Sequence, residues 1–506
     1  MQTKQPCAKS WIIGPAAFLL LCCMPAATPA QPTTQSTTQS QRATEETKPS
    51  EPAPTPKAKP LRGPKYLNLR YDEDFSYLDG PEGSYKPDFF DPIKRIHLSD
   101  DLTLSLGATF RTRLESETNK AFGSSRRAQD TFFLHQWRPF ADLRYRKLAR
   151  VFVEGISAHI EDRDLPLLGI HENRYDLHQL FIDFRPLGED VPLTARVGRQ
   201  ELLYGKQRLI SPLAWANTRR RFDAAKLFYR DEKFNLDIFY ARPIPISIAE
   251  GLNRKPDTFR EEAHFYGIYW TYKAIPRHVF DLYFLGLNDK GRKANANGRM
   301  GDQSVYTIGG RLGGHTGGFD YDGELAGQWG TFAGDTVQAW GGAVDAGYTW
   351  KKTPWSPRLG AGFDFGTGDD DPTDRTHGTF NQLFPLGHAY LGYLDLFGRQ
   401  NVLATNLNLT LKPIKKLTTK LTWLTFWNDA KRDALYNAGG GAGRRNRFGT
   451  SGHDIGNELD LTIKYGLDPH SSVLFGLSHF WGNNFIRSTG PSRDADLIYL
   501  QYEFKF

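Results

Sequence analysis

The chain has 506 residues, 39% of them hydrophobic and 24% charged, and sets 64 Lys and Arg against 57 Asp and Glu for a formal net charge of +7. Its mean hydropathy is −0.52, and beyond residue 30 no apolar stretch reaches the ~18 residues that a spanning helix needs. Cys7, Cys22 and Cys23 all lie before residue 30, so the rest of the chain holds no disulfide, thiolate metal site or cysteine nucleophile.

Residues 1–30 read as a secretory signal. Lys4 and Lys9 precede an apolar run from Trp11 to Ala27, and small residues lead to a cut after Ala30. Pro15 and Pro25 interrupt the run, and Leu21 is a poor fit for the small residue that acylation at Cys22 would want. Losing the two lysines leaves about +5, an excess that suits an anionic partner and equally a solubilising surface. Residues 31–65 are Thr/Gln/Ser-rich and then Pro-rich, with almost nothing apolar to bury, and read as a disordered periplasmic tether. Residues 66–101 mix aromatics and acids with turn formers. They are expected to pack under or inside the mouth of the domain formed by residues 102–506, as a periplasmic or rim segment.

From residue 102 to 506 the chain alternates apolar and polar residues with no long helix-period segment. Candidate strands cover 102–114, 132–146, 150–160, 177–186, 192–200 and 224–230. They continue at 234–241, 264–273, 278–288, 304–313, 319–330 and 336–350. The last six are 357–366, 401–412, 417–427, 455–465, 471–481 and 495–506. In Phe319 to Trp329, Phe319, Tyr321, Leu325 and Trp329 share one face, while Asp320, Asp322, Glu324 and Gln328 share the other. Leu102 to Leu114 places Arg111 and Arg113 on its polar side. In the final strand Ile498, Leu500, Tyr502, Phe504 and Phe506 form the apolar face, and Gln501, Glu503 and Lys505 the polar one.

One face toward lipid and one toward water is what a transmembrane strand requires. The connections agree. Long ones fall at 115–131, 161–176, 201–223, 242–263, 289–303, 367–400, 428–454 and 482–494, and short ones at 147–149, 231–233, 274–277 and 413–416. Only 331–335 is short where a long loop is due. This rhythm predicts an all-β fold: a transmembrane antiparallel β-barrel of about eighteen strands, with long extracellular loops and short periplasmic turns. Barrels of about 16–18 strands leave an aqueous channel.

Two loops hold the candidate site residues. The first carries Arg199, Lys206, Arg208, Asn217, Arg219, Arg220, Arg221 and Asp223, with Trp215 and Phe222. Guanidinium forks bind carboxylates bidentately, so this loop could enter the pore and bind acidic sugars. Equally, it could be tied down by its own ion pairs, Arg220 with Asp223 or Glu201. Arg111 and Arg113 of the first strand join the candidates from the wall. The second loop, 366–401, offers Asp369, Asp370, Asp371 and Asp374 as a weak calcium candidate, although the spacing lacks a distal Glu and an ordinary acidic loop fits better. Its aromatics, Phe380, Phe384, Tyr390, Tyr393 and Phe397, predict a folded loop packed on the barrel rim. No G-x-S-x-G, H-E-x-x-H or Walker loop occurs, so neither enzyme activity, nor a cofactor, nor a nucleic-acid partner is expected.

The stretches NLRYDEDFSYL (68–78), GRQELLYGKQRLISPLAWANTRRRFDAAKL (198–227), GDDDPTDRTHGTFNQLFPLGHAYLGYLDLFGRQN (368–401) and DIGNELDLTIKY (454–465) resemble the bacterial alginate export family of outer-membrane proteins. The resemblance implies an eighteen-stranded monomeric barrel whose basic, loop-constricted channel passes a uronic-acid polymer. It carries over Arg199, Arg208, Asn217, Arg220 and Asp223 as pore or loop residues. Lys206 departs from it, standing where an acid often follows Tyr-Gly, and Arg219 and Arg221 add charge. The expected function is an outer-membrane porin passing an anionic, alginate-like polysaccharide by passive, electrostatically assisted diffusion. The alternative is a general or small-substrate porin on the same scaffold. Expected partners are outer-membrane lipid, the polysaccharide, and a periplasmic export partner for the tether.

Overall fold

The computed structural model describes residues 63–81, 83–125, 127–246, 256–296 and 298–506. The expected signal and most of the expected 31–65 tether lie outside these residues. Among them the alternating segments form eighteen barrel strands. The first six are β1 (Leu102–Thr118), β2 (Gln129–Tyr145), β3 (Ala149–Glu161), β4 (Asn173–Phe184), β5 (Leu193–Gln200) and β6 (Phe222–Arg230). Next come β7 (Phe234–Pro243), β8 (Ala263–Tyr272), β9 (His278–Ala294), β10 (Met300–Thr316), β11 (Phe319–Phe332) and β12 (Asp335–Thr349). The wall ends with β13 (Arg358–Gly366), β14 (Val402–Ile414), β15 (Leu417–Trp427), β16 (Asp454–Gly466), β17 (Ser471–Gly482) and β18 (Ala495–Lys505).

Each strand pairs antiparallel with its neighbours in the chain, and β18 closes on β1 from Thr109↔Lys505 to Thr118↔Asp496. Closure leaves no unpaired strand edge in the wall, which lipid would otherwise penalise. Every expected strand is present, and several run further than expected toward the long-loop end. β1 reaches Thr118, and β10 begins at Met300. The expected 289–303 loop contracts to 295–299, because β9 and β10 still pair at Lys293↔Gly301 and Ala294↔Met300. Beyond the hydrocarbon both faces meet water, so the alternation fades from the sequence while backbone pairing continues. The short β11–β12 loop is Ala333 and Gly334, with φ of 50° and 85°, the left-handed pair that a tight hairpin favours.

The two faces separate as alternation demands. On β11, Leu325 and Trp329 are 54% and 44% exposed to the outside, whereas Asp322 and Gln328 are buried within. On β18, Ile498 and Leu500 point outward and Leu497 and Tyr499 inward. Tyr502, Phe504 and Phe506 are half-buried: Phe90 stacks on Phe506 at 4.7 Å and meets Phe504 edge-on at 5.8 Å. The final aromatics therefore meet the N-terminal segment as well as the exterior.

That segment, 63–101, contains three single 3₁₀ turns and a short strand, Ile96–His97, paired with β1. Arg70 is fully buried and donates to the Ala108 carbonyl (2.8 Å), Thr109 Oγ1 (2.6 Å) and the Phe506 carbonyl (2.8 Å), with Glu73 as its counter-ion. Tyr71 donates to the Glu201 carbonyl at 2.9 Å and packs on Phe152 and Phe181 of the inner wall. The segment thus runs into the lumen and clamps the seam where the barrel closes.

Leu500→Arg, placing charge on the lipid face, is expected to cost about 2–4 kcal/mol if the position lies near the bilayer midplane. Gln501→Glu keeps an acceptor for the Arg113 guanidinium, 3.3 Å away, and should be mild. Heat-modifiable gel mobility checks both, and equal damage would reverse the assigned faces.

Candidate functional site

An eighteen-stranded wall encloses more space than its own side chains fill. Here two loops occupy it: residues 201–221, between β5 and β6, and residues 367–401, between β13 and β14. They meet along their backbones, with Ser211 N donating to the Phe384 carbonyl, Phe384 N to Leu209 and Leu386 N to Gln207, each at 2.9 Å. The second loop therefore folds inward rather than packing on the rim. Its apolar residues explain why, since Phe380 and Phe397 are buried in clusters shared with lumen-facing residues such as Ala339, Phe426 and Phe480.

Each arginine of the first loop has a fixed partner. Arg219 forks onto Glu201 at 2.5 and 2.8 Å, and Glu201 also pairs with His178 at 2.8 Å. Arg221 is fully buried between Asp176 and Asp257. Arg208 reaches across the lumen to Asp322 (2.6 Å) and Glu324 (3.2 Å) on β11. Arg199 pairs with Asp223 at 3.0 Å. Arg220 takes neither Asp223 nor Glu201, which are already engaged. It donates instead to the Ser211 and Pro385 carbonyls at 3.2 and 3.3 Å, and burial pushes its pKa down to about 10.

The wall arginines serve the same loop. Arg111 donates to the Ala214 and Ala216 carbonyls at 2.8 and 2.7 Å. Arg113 donates to the Trp215 carbonyl and lies 3.8 Å over the Trp215 ring, which stacks at 3.8 Å on His388 of the second loop. The Asn217 amide lies 2.9–3.1 Å from the carbonyls of His135, His159 and His171, tying the loop base to the wall. Arg399 completes the lattice, donating to Asp364 at 2.5 Å and to the Arg208 carbonyl.

Lys206 differs. It sits at the loop tip with its side chain exposed, and among the described residues no carboxylate pairs with it. It borders a lumen cavity of about 660 Å³ that Arg208, Arg311, Arg358, Lys420, Asp322, Asp345 and Asp460 also line, with Tyr390 and Tyr393 as aromatic faces. A second cavity, about 440 Å³, lies beyond Tyr204 and Gly205 against Tyr71, Lys226, Arg230 and Asp237. Sequence reasoning passed over Lys420 as a pore residue and treated Tyr390 and Tyr393 only as packing aromatics. Lys420 carried a signal, being a lysine at lumen parity with Thr418 and Thr422 on its strand.

The calcium candidates do not converge. Asp370, Asp371 and Asp374 are exposed, with Asp371 and Asp374 capping local turns, while Asp369 is buried beside Asp433. Among the described residues no three His, Cys, Asp or Glu side chains cluster to hold a metal. Burial first, then the charges of Asp433 and Asp374, push the Asp369 carboxyl up to about 7. His377 Nδ1, 4.0 Å away and buried, has no hydrogen-bond partner among the described residues.

A family model described as Alginate export matches residues 102–499. Solved structures similar in fold include three from Pseudomonas aeruginosa. OpdO has 10% identity and a TM-score of 0.55, covering 80% of this chain and 97% of its own. OccK11 (OpdR) has 12% and 0.51, covering 79% and 96%. The outer membrane protein OprD has 11% and 0.51, covering 80% and 94%. A comparison with curated proteins returned no match.

Arg219→Gln and Arg221→Gln each remove the guanidinium from a buried ion pair, at about 3–5 kcal/mol apiece. Both variants should lower the temperature of heat modification. A barrel as stable as the parent would mean that these pairs do not hold the loop.

Asp369 generates a pH dependence. Its folded pKa is raised from 3.8 to about 7, so the folded loop keeps a proton that the unfolded chain has released. The resulting stability is full below the unfolded value and is lost as pH rises through the folded one. Proteolytic nicking of residues 367–380 should accelerate severalfold between about pH 5 and about pH 8, and Asp369→Asn should flatten that profile. An unchanged slope in the variant would assign the effect to another group.

Proposed function

The chain belongs to the alginate export family, and from that premise we propose that its outer-membrane channel passes an anionic, alginate-like polysaccharide by passive, electrostatically assisted diffusion. The observation that carries this reading is the larger cavity, where tyrosine faces stand beside guanidinium and ammonium groups in one space. Aromatic faces suit sugar rings, and cationic donors replace the water around a uronate carboxylate. Passage requires each site to bind weakly enough to release. The guanidiniums here already hold carboxylates of the wall, so a uronate competes with Asp322 or Asp345 instead of meeting a bare cation.

That neutralisation also favours a second reading, a porin for small solutes on the same scaffold. In this reading the ion pairs only brace the loops and no polymer is bound. Arg208, Asn217, Arg219, Arg220, Arg221, Arg111 and Arg113 then act as loop anchors in either case, the Arg199–Asp223 pair braces β5 against β6, and Lys206 and the tyrosines face the permeant.

Planar-bilayer conductance separates the two. Oligouronates should block current from the lumen side in a length-dependent way, more strongly at about 0.1 M salt, where screening acts over ~10 Å, than at about 1 M, where it acts over ~3 Å. Neutral oligosaccharides of the same length should block less. Current without any oligouronate block supports the small-solute porin.

A further inference from the structure

We propose that Lys206 sets the sign of the small ions that the channel admits, and that the arginine cluster further along its loop does not. The proposal deepens the channel reading above and is independent of the polymer. It rests on how the lumen charges are partnered.

In the cavity that Lys206 borders, Arg208 holds Asp322 and Glu324, Arg311 holds Asp281 and Asp322, and Arg358 holds Asp320 and Asp345. A guanidinium bound bidentately or between two acids presents little net field to an ion a few ångströms away, since the opposite charges nearly cancel. Lys420, which lines the cavity together with Asp345 and Asp460, is half-buried on β15. Lys206 has no such partner among the described residues, and its side chain is exposed.

The backbone beneath Lys206 is held firmly, so its charge is held in place too. Tyr204 stacks on Tyr269 at 4.7 Å and donates to Asp237 at 2.9 Å. Gly205 has φ +53°, and a Cβ there would stand 2.7 Å from the Tyr269 hydroxyl. The Tyr390 hydroxyl donates to the Lys206 carbonyl from the opposite loop. Tyr204 and Gly205 border one cavity while Lys206 borders the other, so the loop tip forms part of the partition between them. Arg277 and Lys351, which also line this cavity without a carboxylate partner among the described residues, sit in the short turns before β9 and before β13, whereas Lys206 stands on the loop folded into the lumen. An unneutralised charge inside low-dielectric walls focuses its field along the water path, where it attracts counter-ions and repels co-ions.

The test uses the full-length protein in planar bilayers under a KCl gradient, without polymer. Lys206→Glu should move the reversal potential from the anion side to the cation side, Lys206→Gln should bring it close to zero, and Lys206→Arg should keep the parent value. Should Lys206→Glu fail to assemble, the Gln and Arg pair still decides the question. Reversal potentials equal to the parent in Lys206→Gln overturn the proposal. If selectivity shifts as expected and oligouronates block neither parent nor variant, the polymer reading fails and the Lys206 assignment stands.

Discussion

Hydrocarbon offers no water to an unpaired backbone N–H or C=O, and each one left bare there costs several kcal/mol. A sheet can meet that condition only by closing on itself, and the pairing of β18 with β1 does so here. The closure has wide consequences. The outside must be apolar and the inside must face water, so each strand alternates. Antiparallel order with an even strand number brings both ends of the wall to the same side, where Arg70 ties the Ala108 and Phe506 carbonyls together. Eighteen strands also create a lumen too wide to fill from the wall, which leaves room for inward loops.

Those loops need a reason to stay inside. Apolar packing supplies part of it, as with Phe380 and Phe397. The rest comes from charge-assisted hydrogen bonds, roughly twice as strong as neutral ones and directional when the donor is a guanidinium fork. A buried ion pair adds little net stability against an apolar substitute, but a broken one is costly, so such pairs specify an arrangement more than they stabilise it. Arg208 with Asp322, Arg219 with Glu201 and Arg221 with Asp176 each select one seat for the loop. The chemistry that a permeant would use is thereby committed mostly to architecture. Among the groups still open to the water path are Lys206, Arg277, Lys351, Lys420, Tyr390, Tyr393 and the outer faces of paired guanidiniums.

The barrel was legible in the sequence because its signal is local. A period of two, an aromatic terminal strand and the long–short rhythm of the connections each need only neighbouring residues to be read. Alternation of Leu325 and Trp329 against Asp322 and Gln328 placed those side chains on the faces where they stand. The reading weakened where lipid no longer discriminates, as at Asp289, Lys293 and Ala294, which pair as strand although they read as loop. In loop 367–401 the aromatics announced packing, yet rim and lumen present the same demand for burial, so composition could not choose between them.

The sequence by itself determined the architecture: strand number, facing, topology and the membrane in which the fold makes sense. Tertiary structure alone decided which charges remain free. Arg208 finds its acid 114 residues away, Arg399 takes a seat against a carbonyl 191 residues away, and Arg220 loses both expected carboxylates to other partners. A cluster of cations in a sequence shows no difference between Lys206 and Arg219, because a charge is silenced or left active by partners that only closure of the barrel brings within reach.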